Sequence, residues 1–368
     1  MCVKNLFIIF LSLLLVSCKE KQTDSILDYF SVTHLLKHQV LEISEESDYL
    51  LNPEAILIVE NILVLYEYQQ FKFLVIDPGQ KKVLKSWGTS GNGPGEIVGI
   101  MDFYNHYTGR GINAWDAMLR RLYHCSYESL KDSTEVKFQE IIGNTSNKLF
   151  DKFFPNVLQM NDSMFLCLGG SSNKRFELIN IRNNQTYETG EYPPMEQETN
   201  VMQGIRDIAY NGLIRFNPKE NKVAFLSLES EMFEIFEVKE SGLELVYGSY
   251  TSIPQYQQVS TGGGITAKLV DPAGFKGRNY WISTNDEYIY ILYAKKMPDE
   301  DTSSKRFSPN SANDLLVFNW KGKPVKHYQL DCAVNSIAVT SDSKRIYGIS
   351  TDNEEPVMIF WDCPFEIE

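Results

Sequence analysis

The stretch Gly88-Thr-Ser-Gly91-Asn-Gly93-Pro-Gly95-Glu96 is the first place where this chain could do chemistry, because glycine-rich loops gather backbone amides around phosphates. A phosphate loop carries Gly-x-x-x-x-Gly-Lys-Ser/Thr and opens a helix. Here no lysine follows the glycines, and Ile97–Tyr104 reads as another strand. The loop therefore reads as a tight crossover between strands, where glycine takes φ > 0 without a Cβ clash, with Glu96 near any channel the strands enclose. No Gly-x-Ser-x-Gly elbow, His-Glu-x-x-His helix, EF-hand loop or dinucleotide fingerprint occurs. The five histidines, His34, His38, His106, His124 and His327, are scattered. The cysteines show no Cys-x-x-Cys and no Cys/His pair at ligand spacing, so no metal, cofactor or catalytic residue is assigned.

What remains is a set suited to recognition. Glu96, Asp102, Arg206, Asp207, Lys276, Arg278 and Trp281 mix both charges with an indole, the composition of a polar surface around an aromatic anchor. Tyr104 and Tyr107 are further stacking candidates. Asp102, Asp207 and Asn335 fall near expected inner strands, where their convergence would instead build an acid/base or metal site. Two readings follow: a non-catalytic binding scaffold for a protein or glycan, and, as the alternative, a lactonase, lyase or glycan-active hydrolase.

The elements that position these residues are strands. Short apolar, aromatic and β-branched runs bounded by Gly, Pro, Asn or Asp recur down the chain, such as residues 62–66, 71–77, 82–87, 222–227, 287–293 and 345–350. No segment holds a helical period for three turns. The runs group in fours, and roughly 330 residues in units of 50–60 make six, the signature of a β-propeller. The last unit supplies only three strands, Val334–Val339, Arg345–Ser350 and Pro356–Trp361. Lys37–Ser44 alternates like a strand and is expected to complete that blade and zip the ring. The domain reading is residues 1–17 as a signal peptide, 18–33 as a tether and 34–368 as an all-β, six-bladed propeller of four-stranded antiparallel blades.

Met1–Lys4, the apolar run to Val16 and Leu15-Val16-Ser17-Cys18 follow the charged, apolar and cleavage order of a signal peptide, and the apolar run is too short for a permanent membrane span. The tetrapeptide resembles the lipobox of bacterial lipoproteins, which implies acylation of Cys18 and anchoring in the cell envelope, in the outer membrane because Lys19-Glu20-Lys21 lacks an inner-membrane retention Asp. Removing residues 1–17 removes Lys4 and takes the formal net charge from −13 to −14. An acidic chain without a basic run argues against nucleic acid and anionic lipid as partners. Cys125, Cys167, Cys332 and Cys363 read as buried, unpaired thiols, although an exported chain permits disulfides. Three Asp-Ser-x triplets, at residues 24–26, 132–134 and 162–164, resemble the O-glycosylation sites of some exported bacterial proteins.

Trp87-Gly88-Thr-Ser-Gly91-Asn-Gly93-Pro94-Gly95-Glu96, Tyr288-Ile-Tyr-Ile-Leu-Tyr293 and Phe318-Asn-Trp-Lys-Gly322-Lys-Pro324 carry a family likeness. Over residues 35–363 the chain resembles the TolB-like six-bladed propeller lipoproteins, with one crossover similar to the NHL-type repeat. The resemblance implies the fold and leaves the ligand open. In such a blade the inter-blade connections and the turns between second and third strands open on one face. The long insertions, residues 88–99, 190–203, 252–276 and 295–313, all fall there, and that face is the expected binding face.

Overall fold

The structure, a computed structural model, describes residues 25–43, 53–67, 71–93, 96–132, 138–143, 148–170, 173–193, 203–261, 264–270, 277–295, 312–350 and 356–363. Strands β1 (Thr33–Leu36) and β2 (Gln39–Val40) come first, and six antiparallel blades follow. Blade one is β3 (Pro53–Val59), β4 (Ile62–Glu67), β5 (Lys72–Asp77) and β6 (Lys82–Trp87). Blade two is β7 (Ile100–Asn105), β8 (Gly111–Asp116), β9 (Arg121–Ser126) and β10 (Gln139–Gly143), with helix α1 (Tyr127–Asp132) before its outer strand. Blade three is β11 (Asn156–Gln159), β12 (Met164–Leu168), β13 (Phe176–Asn180) and β14 (Gln185–Thr189). Helix α2 (Gln203–Ala209) then leads into blade four, β15 (Gly212–Asn217), β16 (Lys222–Ser227), β17 (Phe233–Lys239) and β18 (Gly242–Ser249). A separate hairpin, β19 (Gln255–Thr261) and β20 (Gly264–Val270), precedes blade five, β21 (Gly277–Thr284), β22 (Tyr288–Lys295), β23 (Ala312–Asn319) and β24 (Pro324–Leu330). Blade six is β25 (Val334–Val339), β26 (Arg345–Ser350) and β27 (Val357–Asp362), completed by β2.

The period-2 side-chain alternation of a strand explains why these blades form a ring. In β3, Ile56 and Ile58 face blade six, where they join Ala338, Tyr347 and Ile349. Their neighbours Ala55, Leu57 and Val59 face blade two and pack with Phe103, Ile112 and Ala114. Blades four and five share a seam in the same way, and so do five and six. A strand buried on both faces reads as a continuous apolar run, and β4 is buried at every position. The outer β6 and β14 are mostly half-buried or exposed.

Closure follows the expectation. Gln39 pairs with Phe360 and Val40 with Ile359, and the Leu41 amide donates to the Met358 carbonyl at 2.9 Å. The pairing is shorter than Lys37–Ser44, and Ser44 lies outside the described residues. Two features go beyond it. β1 adds to the outer strand of blade five as a parallel fifth strand, Thr33 opposite His327 through Leu36 opposite Leu330. Ahead of it, residues 25–30, read from sequence as tether, are packed into the propeller. Ser25 caps a 3-10 turn over Ile26–Tyr29, accepting from the Leu27 amide, while Asp28 accepts from the Ser25 amide. Ile26 is fully buried in the seam between blades four and five, and Ser25 donates to Glu231 at 2.9 Å. The folded unit thus begins by Ser25, because Ile26, Leu27, Tyr29 and Phe30 give this segment an apolar face to bury.

Candidate functional site

The inner strands place a polar belt around the axis. Asp102 on β7 and Arg215 on β15 form a bidentate pair, 2.7 and 3.0 Å, with both side chains buried. Asn156 on β11 donates to the same carboxylate at 2.8 Å, so one cluster ties blades two, three and four. The Arg215 guanidinium lies 5.9 Å from the Trp281 ring centroid. Trp281 donates its indole N–H to the Ile337 carbonyl at 2.9 Å and packs against the seams of blades one and two, four and five, and five and six. Asn335 donates to the Pro53 carbonyl at 2.6 Å. These geometries fasten blades to one another. Asp102, expected on a recognition surface, is buried in this axis, because inner strands converge too closely to leave its side chain in solvent, whereas Trp281 is half-buried, packed on three seams and still reached by solvent.

At the ends of the inner strands a different set gathers. Glu54 on β3 keeps access to solvent, yet burial raises its carboxyl above the usual range. Tyr280 is pushed up to about 12 by burial and by the Glu54 charge, against the opposing pull of Arg278. Arg278 in turn pairs with Glu229, 3.2 Å away, in the connection between β16 and β17. Glu54 and Tyr280 escaped the sequence reading. The available signal was register, since Glu54, Arg278 and Asn335 are each the second residue of an inner strand.

The remaining expected residues lie on the rim. Glu96 is turned into its own loop rather than toward the channel: its carboxylate accepts from the Gly93 amide at 2.7 Å. A Cβ on Gly91, at φ +151°, would sit 2.0 Å from that carboxylate, so the glycines make room for Glu96. On α2 the Arg206 guanidinium lies 4.1 Å from the Tyr192 ring centroid, and Asp207 lies beside Gly169 and the Gly170 amide. The β19–β20 hairpin packs on α2, so within the 252–276 insertion residues 255–261 and 264–270 form a strand pair rather than an open loop. Lys276 and Cys18 lie outside the described residues.

On the opposite face the His106 and His124 rings stand 4.3 Å apart, and burial, helped by His124, lowers His106 to about 4. Tyr107 donates to Asp162 there, whereas Tyr104 is buried and donates to the Val157 carbonyl at 2.8 Å. Of the glycosylation triplets, Ser25 is buried with its hydroxyl on Glu231, the Ser163 hydroxyl bonds Asn161, and Ser133 lies outside the described residues. Cys125, Cys167 and Cys363 are buried free thiols, and Cys332 is half-buried.

Six four-stranded blades around a packed axis, with added structure on one face, define a six-bladed β-propeller. The chain belongs to the TolB-like six-blade propeller family, whose model matches residues 33–342. It is similar in fold to a member of the DUF4221 family from Bacteroides vulgatus, with a TM-score of 0.58 at 10% identity, covering 90% of this chain and 98% of that one. A candidate exported protein from Bacteroides fragilis is also similar, with a TM-score of 0.51 at 10% identity and coverage of 90% and 96%. No curated protein matches the chain. Among the described residues no helix is long and apolar enough to cross a membrane.

Proposed function

We propose that the chain is an exported lipoprotein of the outer membrane, anchored through Cys18, that binds a protein or glycan partner on its loop face without catalysing a reaction. The observation that carries the binding role is the β19–β20 hairpin seated on α2. The six blades are complete without it, so an ordered structure has been added to one face of a rigid scaffold, where binding surfaces sit. Glu54, Arg278 and Tyr280 supply charge and a ring at the same mouth. The anchor supports an orientation as well. Ser25 docks on Glu231, in a connection of the loop face, and six residues, or seven Cα–Cα steps, separate it from Cys18. An extended chain of that length reaches about 25 Å at most, which holds the loop face near the bilayer.

A test is affinity capture from the cell envelope. The wild-type chain retains its partner, and a variant with residues 255–270 replaced by a short glycine linker loses it while unfolding at nearly the same temperature. Equal capture by that variant would overturn the assignment. Cys18→Ala is expected to move the protein out of the membrane fraction. The alternative of a propeller enzyme rests on Glu54, because a solvent-reached carboxyl whose pKa partial burial raises suits general acid chemistry. Under the binding reading Glu54→Gln alters partner affinity alone.

A further inference from the structure

Between β1 and β2 the chain turns at His38, and this turn lies against Asp331-Cys332, which links the outer strand of blade five to the inner strand of blade six. The His38 amide donates to both oxygens of Asp331 at 3.1 and 3.3 Å, and its ring Nδ1 stands 3.0 Å from Oδ1. The Trp361 indole donates to the same oxygen at 3.1 Å. The donor atoms of His38, Asp331 and Cys332 all lie within 4.8 Å of one another. No spacing pattern in the chain announces this group, since His38 and Asp331 are 293 residues apart.

We propose that His38, Asp331 and Cys332 form a zinc site that fastens the amino-terminal clasp to the seam between blades five and six. An imidazole nitrogen, a carboxylate oxygen and a thiolate sulfur are the ligand types zinc takes, at about 2.0–2.3 Å in tetrahedral geometry. Ligand atoms at those distances stand about 3.5 Å from one another, so the side chains need only a small adjustment from their present separation. The thiolate selects a borderline-soft ion over magnesium or calcium. The His38 amide and the Trp361 indole already orient the carboxylate, as second-shell donors do at metal centres. His38 and Asp331 are exposed, which gives an ion its entry path and leaves the fourth position to water. On binding, the Cys332 thiol releases its proton to solvent, and the hydrogen between His38 Nδ1 and Asp331 moves by way of solvent to His38 Nε2, which frees the Nδ1 lone pair for the metal and keeps the imidazole neutral. Because His38 and Asp331 are 293 residues apart, the ion joins the amino-terminal strands to the link between blades five and six.

The probe is cobalt(II), titrated into the purified full chain. One equivalent is expected to give tetrahedral visible bands and a thiolate-to-cobalt charge-transfer band in the near ultraviolet, both displaced by zinc. Cys332→Ser, folded by circular dichroism, loses the charge-transfer band, and His38→Gln binds at least about tenfold more weakly. Zinc raises the melting temperature of the wild-type chain by a few degrees and leaves that of Cys332→Ser unchanged. Absence of the charge-transfer band in the wild-type chain, its survival in Cys332→Ser, or the same thermal response in both proteins would overturn the site.

Discussion

The axis and the rim of this propeller use the same residue types for opposite ends. At the axis Asp102 and Arg215 are buried against each other, with Asn156 on the shared carboxylate. At the rim Arg278 meets Glu229 with both side chains partly open to water, and Arg206 lies over the Tyr192 ring. A buried pair is sensitive to loss of one partner, since the other charge is left uncompensated in a poor solvent for ions. An exposed pair contributes little to stability and stays available for exchange with a partner molecule. Charge near a channel therefore marks a binding site only where solvent still reaches it.

Substitutions separate the two regions. Asp102→Ala is expected to cost about 3–5 kcal/mol in denaturant unfolding, because Arg215 is then buried alone. The double replacement Asp102→Leu with Arg215→Met recovers most of that loss, and a double variant no more stable than Asp102→Ala would break the comparison. Ile26→Ala should cost about 2–4 kcal/mol, as loss of a fully buried aliphatic side chain does. A change within about 0.5 kcal/mol, typical of surface positions, would instead return residues 25–30 to the tether.

His106 gives a smaller, pH-dependent effect. Its folded pKa of about 4 lies below the ordinary 6.5, so the unfolded chain takes up a proton that the native state resists. Stability from this site is full above pH 6.5 and is lost as pH falls from 6.5 to 4. His106→Gln should flatten the fall in melting temperature across that window. Smallest in stability is Arg278→Ala, under about 1 kcal/mol for a part-exposed pair, yet it should weaken partner capture. Loss of stability without loss of capture would move Arg278 from the rim to the axis in function.

The strands and the closing pairing were legible because apolar runs with turn residues report local geometry. Lys82–Trp87, Lys222–Ser227 and Arg345–Ser350 fall where the runs place them. The insertions were legible by length, but their content was not: nothing in residues 252–276 announced a hairpin seated on α2. Pairing between inner strands was hidden for a different reason. Asp102 and Arg215 are 113 residues apart, and Ser25 and Glu231 are 206 apart, so only the ring geometry brings them together. Glu54 was missed because a lone glutamate after a proline has no motif, and its register is visible only once blades are superposed. Glu96, expected near a channel, is instead enclosed by the glycines of its own tight crossover, and no local pattern announces that contact.

The most direct test of loop-face binding is amide hydrogen exchange on the full chain with and without its captured partner. Slowed exchange in residues 203–210 and 255–270, with residues 106–110 and 160–163 unchanged, is the predicted result. Protection confined to 106–110 and 160–163 would contradict the account and put the binding surface on the His106 face.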